Sequence, residues 1–396
     1  MPAADRTPGA SARAGQGADR TAAGLAVYVH LPWCVVKCPY CDFNSHRAPE
    51  VLPERAYVDA LLADWRASIG DEDRAITSVF IGGGTPSLFS AAAIGEILAA
   101  LDDRPGLAPD CEITLEANPG TTEYGRFTDL AGAGVNRISL GVQSFDADCL
   151  KALGRIHGPA EAHRAIADVK AAGINALNCD LMFGLPGQDM ARGLADVETM
   201  IAADPGHISY YQLTFEPGTP FAKRPPARAD DDTIIDLYEA AGQRLTAAGY
   251  SQYEVSAWGR DHVCRHNLHY WRFGDYRAIG AGAHAKITTR DGQIRREARM
   301  RWPTGYMQTA GTPRAITEAH TVSTEDARFE ALLNGLRLRE GITRADYEAR
   351  TGLAWADLGA HVAPMLDRSL LAMDDQRLKA SRRGWPLLDA ILSELV

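Results

Sequence analysis

The sequence predicts an α/β protein built on a partial (β/α)6 TIM-like barrel, and two observations support this. Six short β-rich runs alternate with helical patterns over residues 25–250, and a polar or glycine-rich cluster follows the carboxyl end of each run. Strands that alternate with helices predict parallel strands joined by right-handed crossovers. In an open sheet, functional residues concentrate at one switch point, whereas in a barrel they come from the carboxyl ends of many strands. Because all six ends carry such clusters, the pattern favours a barrel with the site on its top face.

The individual elements follow in order along the chain. The predicted strands are LAVYVH (25–30), ITSVFI (76–81), EITLEA (112–117), NRISLGV (136–142), NALNCDLMF (175–183) and HISYYQLTF (207–215). The predicted helices lie in 53–69, 90–101, 158–173, 190–203 and 230–249. Asp or Ser before several helices and AAG after three of them are start and stop signals. The strands alternate poorly between apolar and polar residues, as expected for strands buried on both faces.

Outside the predicted barrel, which we assign to residues 24–250, the composition changes. Residues 1–23 are rich in Ala, Gly, Pro and Arg, have little to bury and are predicted to be disordered. Residues 251–320 are predicted to form a small β extension, antiparallel over 252–288. Residues 321–396 are helical and charged and contain a hairpin, LLAMDDQRLKAS. This pattern predicts a winged-helix-like C-terminal domain, interpreted as a packing lid rather than a binding module.

Composition restricts the class of partner and the cellular setting. The 396 residues carry a formal net charge of -10, which argues against a nucleic-acid-binding protein. Seven cysteines, an odd number, and the lack of an apolar opening segment indicate a reducing, cytoplasmic setting. No apolar run approaches the roughly 20 residues that cross a bilayer.

Three cysteines follow the first predicted strand within the segment CVVKCPYC, at Cys34, Cys38 and Cys41. Three thiolates at this spacing can converge on one metal centre. A zinc site needs four closed ligands, and His46 is available as a fourth. An iron–sulfur cubane normally takes four cysteines, so three would leave one iron open to a small molecule. Spacing and context favour the open cluster over zinc. The clustering just past a strand end, beside two prolines, argues against three unrelated structural thiols.

The arrangement CxxxCxxC after the first strand of a partial barrel resembles the radical S-adenosylmethionine (radical SAM) superfamily. The resemblance implies a [4Fe–4S] cluster on Cys34, Cys38 and Cys41, whose open iron binds the amino and carboxylate groups of S-adenosylmethionine. It also implies that the reduced cluster cleaves this cofactor to methionine and a 5′-deoxyadenosyl radical. The protein then supplies binding, orientation and exclusion of water.

The remaining polar clusters fit this resemblance. The glycines of GGGTPS (82–87) let the backbone approach a polar ligand, and Arg155 offers a bidentate fork for a carboxylate. Each group could also be a hydrogen-bonded core residue. The expected S-adenosylmethionine-binding residues are Tyr28, Gly83, Gly84, Thr85, Glu116, Gln143, Arg155 and Asp180. The glycine-rich segment IGAGAHA (279–285) is expected to close the cofactor site.

The segments YVHLPWC, GGGTPS, LGVQSF, GLPGQ and HNLHYW together resemble the coproporphyrinogen III oxidase-like branch of that superfamily, over about residues 24–390. The oxygen-independent oxidase group, HemN, has CxxxCxxCxC, whereas this chain has Phe43 at the last position. The HemW-type haem chaperones match better, with CxxxCxxCxF and HNxxYW. The resemblance therefore implies a haem chaperone. Radical decarboxylation of coproporphyrinogen III to protoporphyrinogen IX remains the alternative, and a zinc-dependent binding module is a third.

The HNLHYW segment supplies the expected haem site. His266 can ligate haem iron, and Tyr270 and Trp271 can supply aromatic surface for the macrocycle. Cys264 and His269 are nearby alternatives as ligands. The competing interpretation places His266 in hydrogen bonds to the barrel and both aromatics in its core. The implied partners are haem and haem-accepting apoproteins, including acceptors at the membrane, with homodimerisation left open.

Overall fold

The computed structural model describes residues 24–120 and 126–395. The prediction of disorder for residues 1–23 falls outside these ranges. Within them, the strands are β1 (Leu25–Leu31), β2 (Trp33–Cys34), β3 (His46–Arg47), β4 (Ile76–Gly83), β5 (Leu107–Ala117), β6 (Arg137–Gln143), β7 (Ala176–Phe183), β8 (Gly206–Gln212), β9 (Ser251–Gln252), β10 (Ala257–Gly259), β11 (Tyr276–Ile279), β12 (His284–Thr288), β13 (Ile294–Arg299), β14 (Ile316–Thr321), β15 (Ile342–Thr343), β16 (Leu371–Met373) and β17 (Arg377–Ala380).

The helices of the same ranges lie between these strands and at the C-terminal end. They are α1 (Glu54–Ile69), α2 (Ala91–Asp103), α3 (Arg126–Gly132), α4 (Ala147–Ala152), α5 (Pro159–Ala171), α6 (Met190–Ala203), α7 (Pro220–Lys223), α8 (Asp231–Ala247), α9 (Arg265–Trp271), α10 (Pro303–Thr309), α11 (Thr324–Gly335), α12 (Arg344–Thr351), α13 (Trp355–Asp367) and α14 (Leu388–Glu394). Short 3-10 turns occur at Pro86–Leu88, Pro313–Ala315 and Trp385–Leu387.

The six predicted strands form the parallel centre of one 12-stranded sheet, in the order β1-β4-β5-β6-β7-β8. The partial (β/α)6 barrel is therefore confirmed. Every residue of β6 is buried, which explains why the apolar pattern did not alternate. Helices α2 and α6 begin where predicted, with Ser90 and Asp189 accepting hydrogen bonds from backbone N–H groups of the first turn.

Parallel pairing brings the carboxyl ends of these strands to one edge of the sheet. Leu31 at the end of β1 pairs with Gly83 at the end of β4, so the cysteine loop after β1 meets the glycine segment after β4. Phe183 and Gln212 are paired in the same way at the ends of β7 and β8. This edge is where the predicted cofactor residues meet.

The β extension differs from the prediction of an antiparallel unit over 252–288. Its residues divide between the two sides of the parallel core: β10 pairs antiparallel with β8 and β9 antiparallel with β10, whereas β11 pairs in parallel with β1. Strands β12, β13 and β14 then continue antiparallel beyond β11.

The HNLHYW segment between these two edges forms helix α9 rather than a strand. The carboxylate of Glu112 accepts hydrogen bonds from the backbone N–H groups of Arg265 and His266, both at 3.0 Å. A carboxylate from strand β5 therefore caps the helix N-terminus, where negative charge is favourable. This cap comes from a distant part of the chain, so local sequence gave no start signal.

The C-terminal residues build a second hydrophobic core around Leu332, Leu336, Leu358 and Leu378. Helices α11 to α13 pack beside a three-stranded sheet in the order β15-β17-β16, and β16 and β17 form the predicted hairpin. This arrangement matches the winged-helix-like prediction. None of the helices in residues 24–120 and 126–395 is both long enough and apolar enough to cross a bilayer.

Candidate metal and cofactor site

The cysteine loop is closed on itself by backbone pairing and by one lysine. Strands β2 and β3 pair in parallel, and Ala48 N–H donates to the Cys34 carbonyl at 2.8 Å. The Lys37 ammonium donates to the carbonyls of Phe43 and Ser45, at 2.9 and 3.0 Å. These bonds satisfy backbone carbonyls inside the loop and hold its two ends together.

Cys34, Cys38 and Cys41 all line one cavity of about 350 Å³ at the carboxyl ends of the strands. They are partly exposed, whereas the other four cysteines of the chain are buried, and all seven are free thiols. Burial raises the pKa of Cys34 and Cys41, although hydrogen bonds from Thr85 to Cys34 and from Ser45 to Cys41 oppose the shift. Metal binding must therefore be coupled to loss of protons from these thiols.

The zinc alternative lacks its fourth ligand in this geometry. His46 does not line the cavity, and its ring lies 5.3 Å from the ring of Trp302. Among the described residues, no three His, Cys, Asp or Glu side chains converge tightly enough to hold a single metal ion. A cubane binds each thiolate through a different iron, so its thiolates are spaced more widely than those around one ion.

The glycines after β4 allow two segments of backbone to approach closely. Gly83 has a φ of 116°, and its N–H donates to Glu116 Oε2 at 3.1 Å. A Cβ on Gly84 would lie 2.5 Å from the carbonyl oxygen of Trp33 in the cysteine loop. Both glycines also line the cavity. They therefore let strand β4 pack on the cysteine loop while presenting backbone to a ligand.

Four carboxyl groups line the same cavity, and two of them, Glu116 and Asp180, lie on strands β5 and β7. Burial, together with the nearby charge of Asp180, raises the pKa of Glu116 to about 7, opposed by its hydrogen bond from Gly83. Burial also raises the pKa of Asp180, opposed by hydrogen bonds from Asn178 and Ser209. A carboxylate in this position gains from a cationic or hydroxyl-bearing ligand, which restores the charged form.

Arg155 is the cation of the cavity. Its guanidinium donates to the Gly141 carbonyl at 2.7 Å and to Asn118 Oδ1, and it lies 3.7 Å from Cys38 Sγ. Its buried Nε has no hydrogen-bond partner among the described residues. The guanidinium thus faces the sulfur of a predicted ligand and forms no ion pair with a carboxylate in residues 24–120 and 126–395. It is therefore available to the carboxylate of a ligand.

Gln143 adopts an unusual backbone conformation at the end of β6. Its φ is 72°, and the Tyr211 hydroxyl donates to its Oε1 at 2.8 Å. Positive φ at a non-glycine residue stores strain that the surrounding structure must offset, and such strain concentrates at functional sites. Asn118 and Tyr211, which sequence reasoning missed, both line this cavity. Asn118 directly follows the predicted strand EITLEA, which also carries Glu116.

The structure does not bring all predicted cofactor residues to the cysteine cavity. Thr85 lies behind the cysteine loop, where Asn118 Nδ2 donates to its hydroxyl at 2.9 Å. Tyr28 lines a second cavity instead, and its hydroxyl bonds His30 Nδ1 at 2.9 Å. The two cavities share Gly83 and Glu116, so Tyr28 lies across a common wall.

The HNLHYW residues do not form one surface. His266 is 1% exposed, and its ring nitrogens are both engaged, Nδ1 with Ser78 Oγ at 3.0 Å and Nε2 with the Tyr270 hydroxyl at 2.8 Å. The guanidinium of Arg337 lies over the Trp271 ring at 4.5 Å, on the side of the C-terminal core. Tyr270 lines the large cavity that contains Tyr28, whereas Trp271 lines a separate, much smaller cavity beside the C-terminal core. With both nitrogens bonded, His266 has no lone pair to offer to haem iron in this conformation.

A sheet of six parallel strands with three thiols at its carboxyl edge defines a radical SAM-type core. The family model described as the radical SAM superfamily matches residues 28–198, and the one described as the HemN C-terminal domain matches residues 322–387.

Curated relatives match over nearly the whole chain. "Heme chaperone HemW" of Escherichia coli is 48% identical over 348 residues, covering 87% of this chain and 90% of the relative. The protein of the same name from Haemophilus influenzae is 46% identical over 374 residues, covering 93% and 97%. The zebrafish protein "Radical S-adenosyl methionine domain-containing protein 1, mitochondrial" is 33% identical over 389 residues, covering 94% and 86%. The chain therefore belongs to the HemW family.

A solved structure shares the same architecture. The radical SAM enzyme coproporphyrinogen III oxidase (HemN) from Escherichia coli superposes with a TM-score of 0.79 at 20% identity, covering 95% of this chain and 92% of the oxidase. At that identity the likeness establishes the fold and does not transfer the oxidase reaction.

Proposed function

We propose that this protein is a haem chaperone, which holds a [4Fe–4S] cluster and S-adenosylmethionine in the cysteine cavity and delivers haem to acceptor apoproteins. The observation that carries the proposal is the convergence of Cys34, Cys38 and Cys41 on one cavity, in a chain that is 48% identical to a heme chaperone over 87% of its length. A cytoplasmic location belongs to the same proposal and is supported by the seven free cysteines.

The residues present fit a cluster with one open iron. Three thiols line the cavity, and the position two residues after Cys41 is Phe43, which is 60% exposed and is not a fourth thiol. The Arg155 guanidinium lies 3.7 Å from the Cys38 sulfur, so a positive charge stands beside one of the three thiols. When bound, the cluster and S-adenosylmethionine supply one-electron chemistry that protein side chains cannot provide.

The rest of the cavity fits the polar ends of S-adenosylmethionine. Gly83 and Gly84 present backbone where a side chain would block approach, and Arg155 offers a cation to a carboxylate. Glu116 and Asp180 offer acceptors to an ammonium group or to ribose hydroxyls. These residues bind and orient the cofactor, and the protein walls around them restrict access of water.

A transfer assay tests the chaperone function against the oxidase alternative. The anaerobically purified protein is loaded with haem and mixed with a haem-free globin, and the rate of transfer is followed by absorbance. We expect about one haem to bind per protein chain. Transfer to the globin should proceed at a different rate from that of free haem at the same concentration, because the haem leaves from the protein. In parallel, the reduced protein is incubated with S-adenosylmethionine and coproporphyrinogen III. Stoichiometric formation of protoporphyrinogen IX would contradict the proposal.

A further inference from the structure

A second cavity lies beside the cysteine cavity and is twice as large. Its volume is about 700 Å³, against about 350 Å³, and a ligand pocket typically measures about 300–1,000 Å³. The two cavities share the wall formed by Asp42, Phe43, Gly83 and Glu116. Beyond this wall, the second cavity is lined by β1, helix α9 and the strands of the β extension.

The lining includes one histidine whose ring is uncommitted. His284, the first residue of β12, is exposed, and its ring makes no hydrogen bond within the described part of the chain. His30 also lines the cavity, but the Tyr28 hydroxyl occupies its Nδ1 and the Asn44 carbonyl its Nε2. Because a metal ligand needs a free lone pair, His284 and not His30 is able to bind iron here.

Aromatic rings line the same cavity in fixed positions. The rings of Tyr270 and Tyr276 lie 4.3 Å apart between centroids. Their hydroxyls are bonded to His266 and to the Arg296 guanidinium, at 2.8 and 2.7 Å. These bonds hold the rings in place and leave their apolar surfaces for a flat ligand. His266 is therefore a positioning residue for Tyr270.

Arg301 supplies a positive charge that no carboxylate neutralises. It is exposed, lines the cavity and forms no ion pair with any described residue. The neighbouring Arg299 is already bonded to Asp64 and Glu297, each at 3.1 Å. Arg301 is thus the arginine of this lining that is available to a ligand carboxylate.

The histidine and the cysteine loop are tied together. Asn44 Nδ2 donates to the carbonyls of Ala281 and Arg301, at 2.9 and 2.8 Å. Gly282, with a φ of 78°, has no room for a Cβ because the Asn44 side chain occupies that space. One side chain from the cysteine loop therefore fixes the segment that carries His284 and Arg301.

We propose that haem binds in this second cavity, with His284 as an axial ligand of the iron and Arg301 against a propionate. The inference rests on the proposed haem-chaperone function and assigns its cargo site to the β extension instead of to His266. The inference is supported by three features of this one cavity, taken over the described residues: the imidazole of His284 without a hydrogen bond, the fixed tyrosine rings, and the guanidinium of Arg301 without an ion pair. Haem then lies across the wall from the cluster, close to Gly83 and Glu116.

Titration of the purified full chain with ferric haem tests this assignment. Affinity is read from the Soret band, and ligation from the electron paramagnetic resonance of the ferric iron. We expect His284→Ala to remove the imidazole-ligated signal and to weaken haem binding at least about tenfold. Loss of a residue that only hydrogen-bonds a metal ligand already costs about tenfold or more in affinity, so loss of the ligand itself should cost no less. His284→Met is expected to retain binding with a changed axial-ligand signature. Arg301→Gln is expected to weaken binding without changing that signature.

Matched variants make the result decisive. His320, on strand β14 two strands from β12, is also exposed but does not line the cavity, so His320→Ala should bind haem as the wild type does. Arg295→Gln on β13 is the corresponding control for Arg301, because Arg295 is exposed and outside the lining.

The two proposals fail in distinguishable ways. A wild-type chain that binds no haem would overturn the chaperone function itself. A wild type that binds haem, together with a His284→Ala variant of unchanged affinity and ligation, would overturn only the site. Loss of the imidazole signal in His266→Ala, with circular dichroism unchanged, would also overturn it.

Discussion

The cysteine loop and helix α9 both contain residue types that commonly bind metals, but the surroundings of these residues differ. The three loop sulfurs line a cavity. In α9, both ring nitrogens of His266 are bonded within the protein, and His269 Nε2 bonds the Asp275 carbonyl at 2.6 Å. Residue types alone therefore do not define a metal site. The fold must also leave their lone pairs free and directed toward open space.

The largest effect is expected from a substitution in the cysteine loop. Cys34→Ser should reduce bound iron and acid-labile sulfide to background, because two cavity thiols are too few to hold the cluster. The measurement is iron and sulfide content after anaerobic purification. Cys111→Ala, Cys149→Ala and Cys179→Ala should retain wild-type content, since these thiols are buried away from the cavity. Iron lost from the Cys179 variant would mean that the ligands are wrongly assigned.

The next largest effect concerns the helix. His266→Ala should lower the free energy of unfolding by about 2–4 kcal/mol, because it leaves Ser78 and Tyr270 without their buried partner and removes the ring packed on Phe80 at 5.2 Å. Denaturant unfolding at constant metal content measures this change. His320→Ala, at an exposed position, should stay within about 0.5 kcal/mol. An unchanged stability in the His266 variant would contradict a structural role.

A smaller effect tests how the glycine segment supports the loop. Gly84→Ala places a Cβ against the Trp33 carbonyl and should cost about 1–3 kcal/mol of unfolding free energy, together with reduced iron loading. Gly132→Ala at the end of α3 meets nothing within 4 Å and should be neutral or stabilising. If the Gly84 variant assembled a normal cluster at wild-type stability, the proposed close packing of loop and strand would be wrong.

The smallest effect concerns the carboxylate on the shared wall. The pKa of Glu116 is raised from 4.5 to about 7, so the folded protein binds a proton at this carboxyl more tightly than the unfolded chain does. The free energy of unfolding therefore falls as the pH rises from about 4.5 to 7. Glu116→Gln should therefore raise unfolding free energy at pH 8 by about 1–2 kcal/mol while weakening S-adenosylmethionine binding. The gain should shrink as the pH is lowered toward 5. A gain independent of pH would exclude this titration as its cause.

The parallel core and the cysteine loop could be predicted because their signals are local. The six strands and five long helices follow from runs of apolar residues and from caps such as Ser90 and Asp189. The three cysteines are close in sequence, and parallel pairing brings the other strand ends to them. Local pattern and tertiary structure therefore agree in this part of the molecule.

The extension could not be predicted in the same way because its determinants are distant. The cap of α9 comes from Glu112, 153 residues before Arg265. Strand β11 pairs in parallel with β1, so its direction depends on a partner about 250 residues earlier. The second cavity is formed only when the loop, α9 and β12 come together. The glycines of IGAGAHA predict a segment that closes the cofactor site, whereas the proposed role of His284 depends on these tertiary contacts.

The central claim is that three thiols hold a cluster with one iron open to S-adenosylmethionine. The most direct measurement is the electron paramagnetic resonance spectrum of the anaerobically purified, reduced protein with and without S-adenosylmethionine. We predict a [4Fe–4S] signal whose g-values change when the cofactor is added, since the cofactor binds the iron itself. A cluster signal that S-adenosylmethionine leaves unchanged, or a colourless protein that contains stoichiometric zinc, would contradict the account.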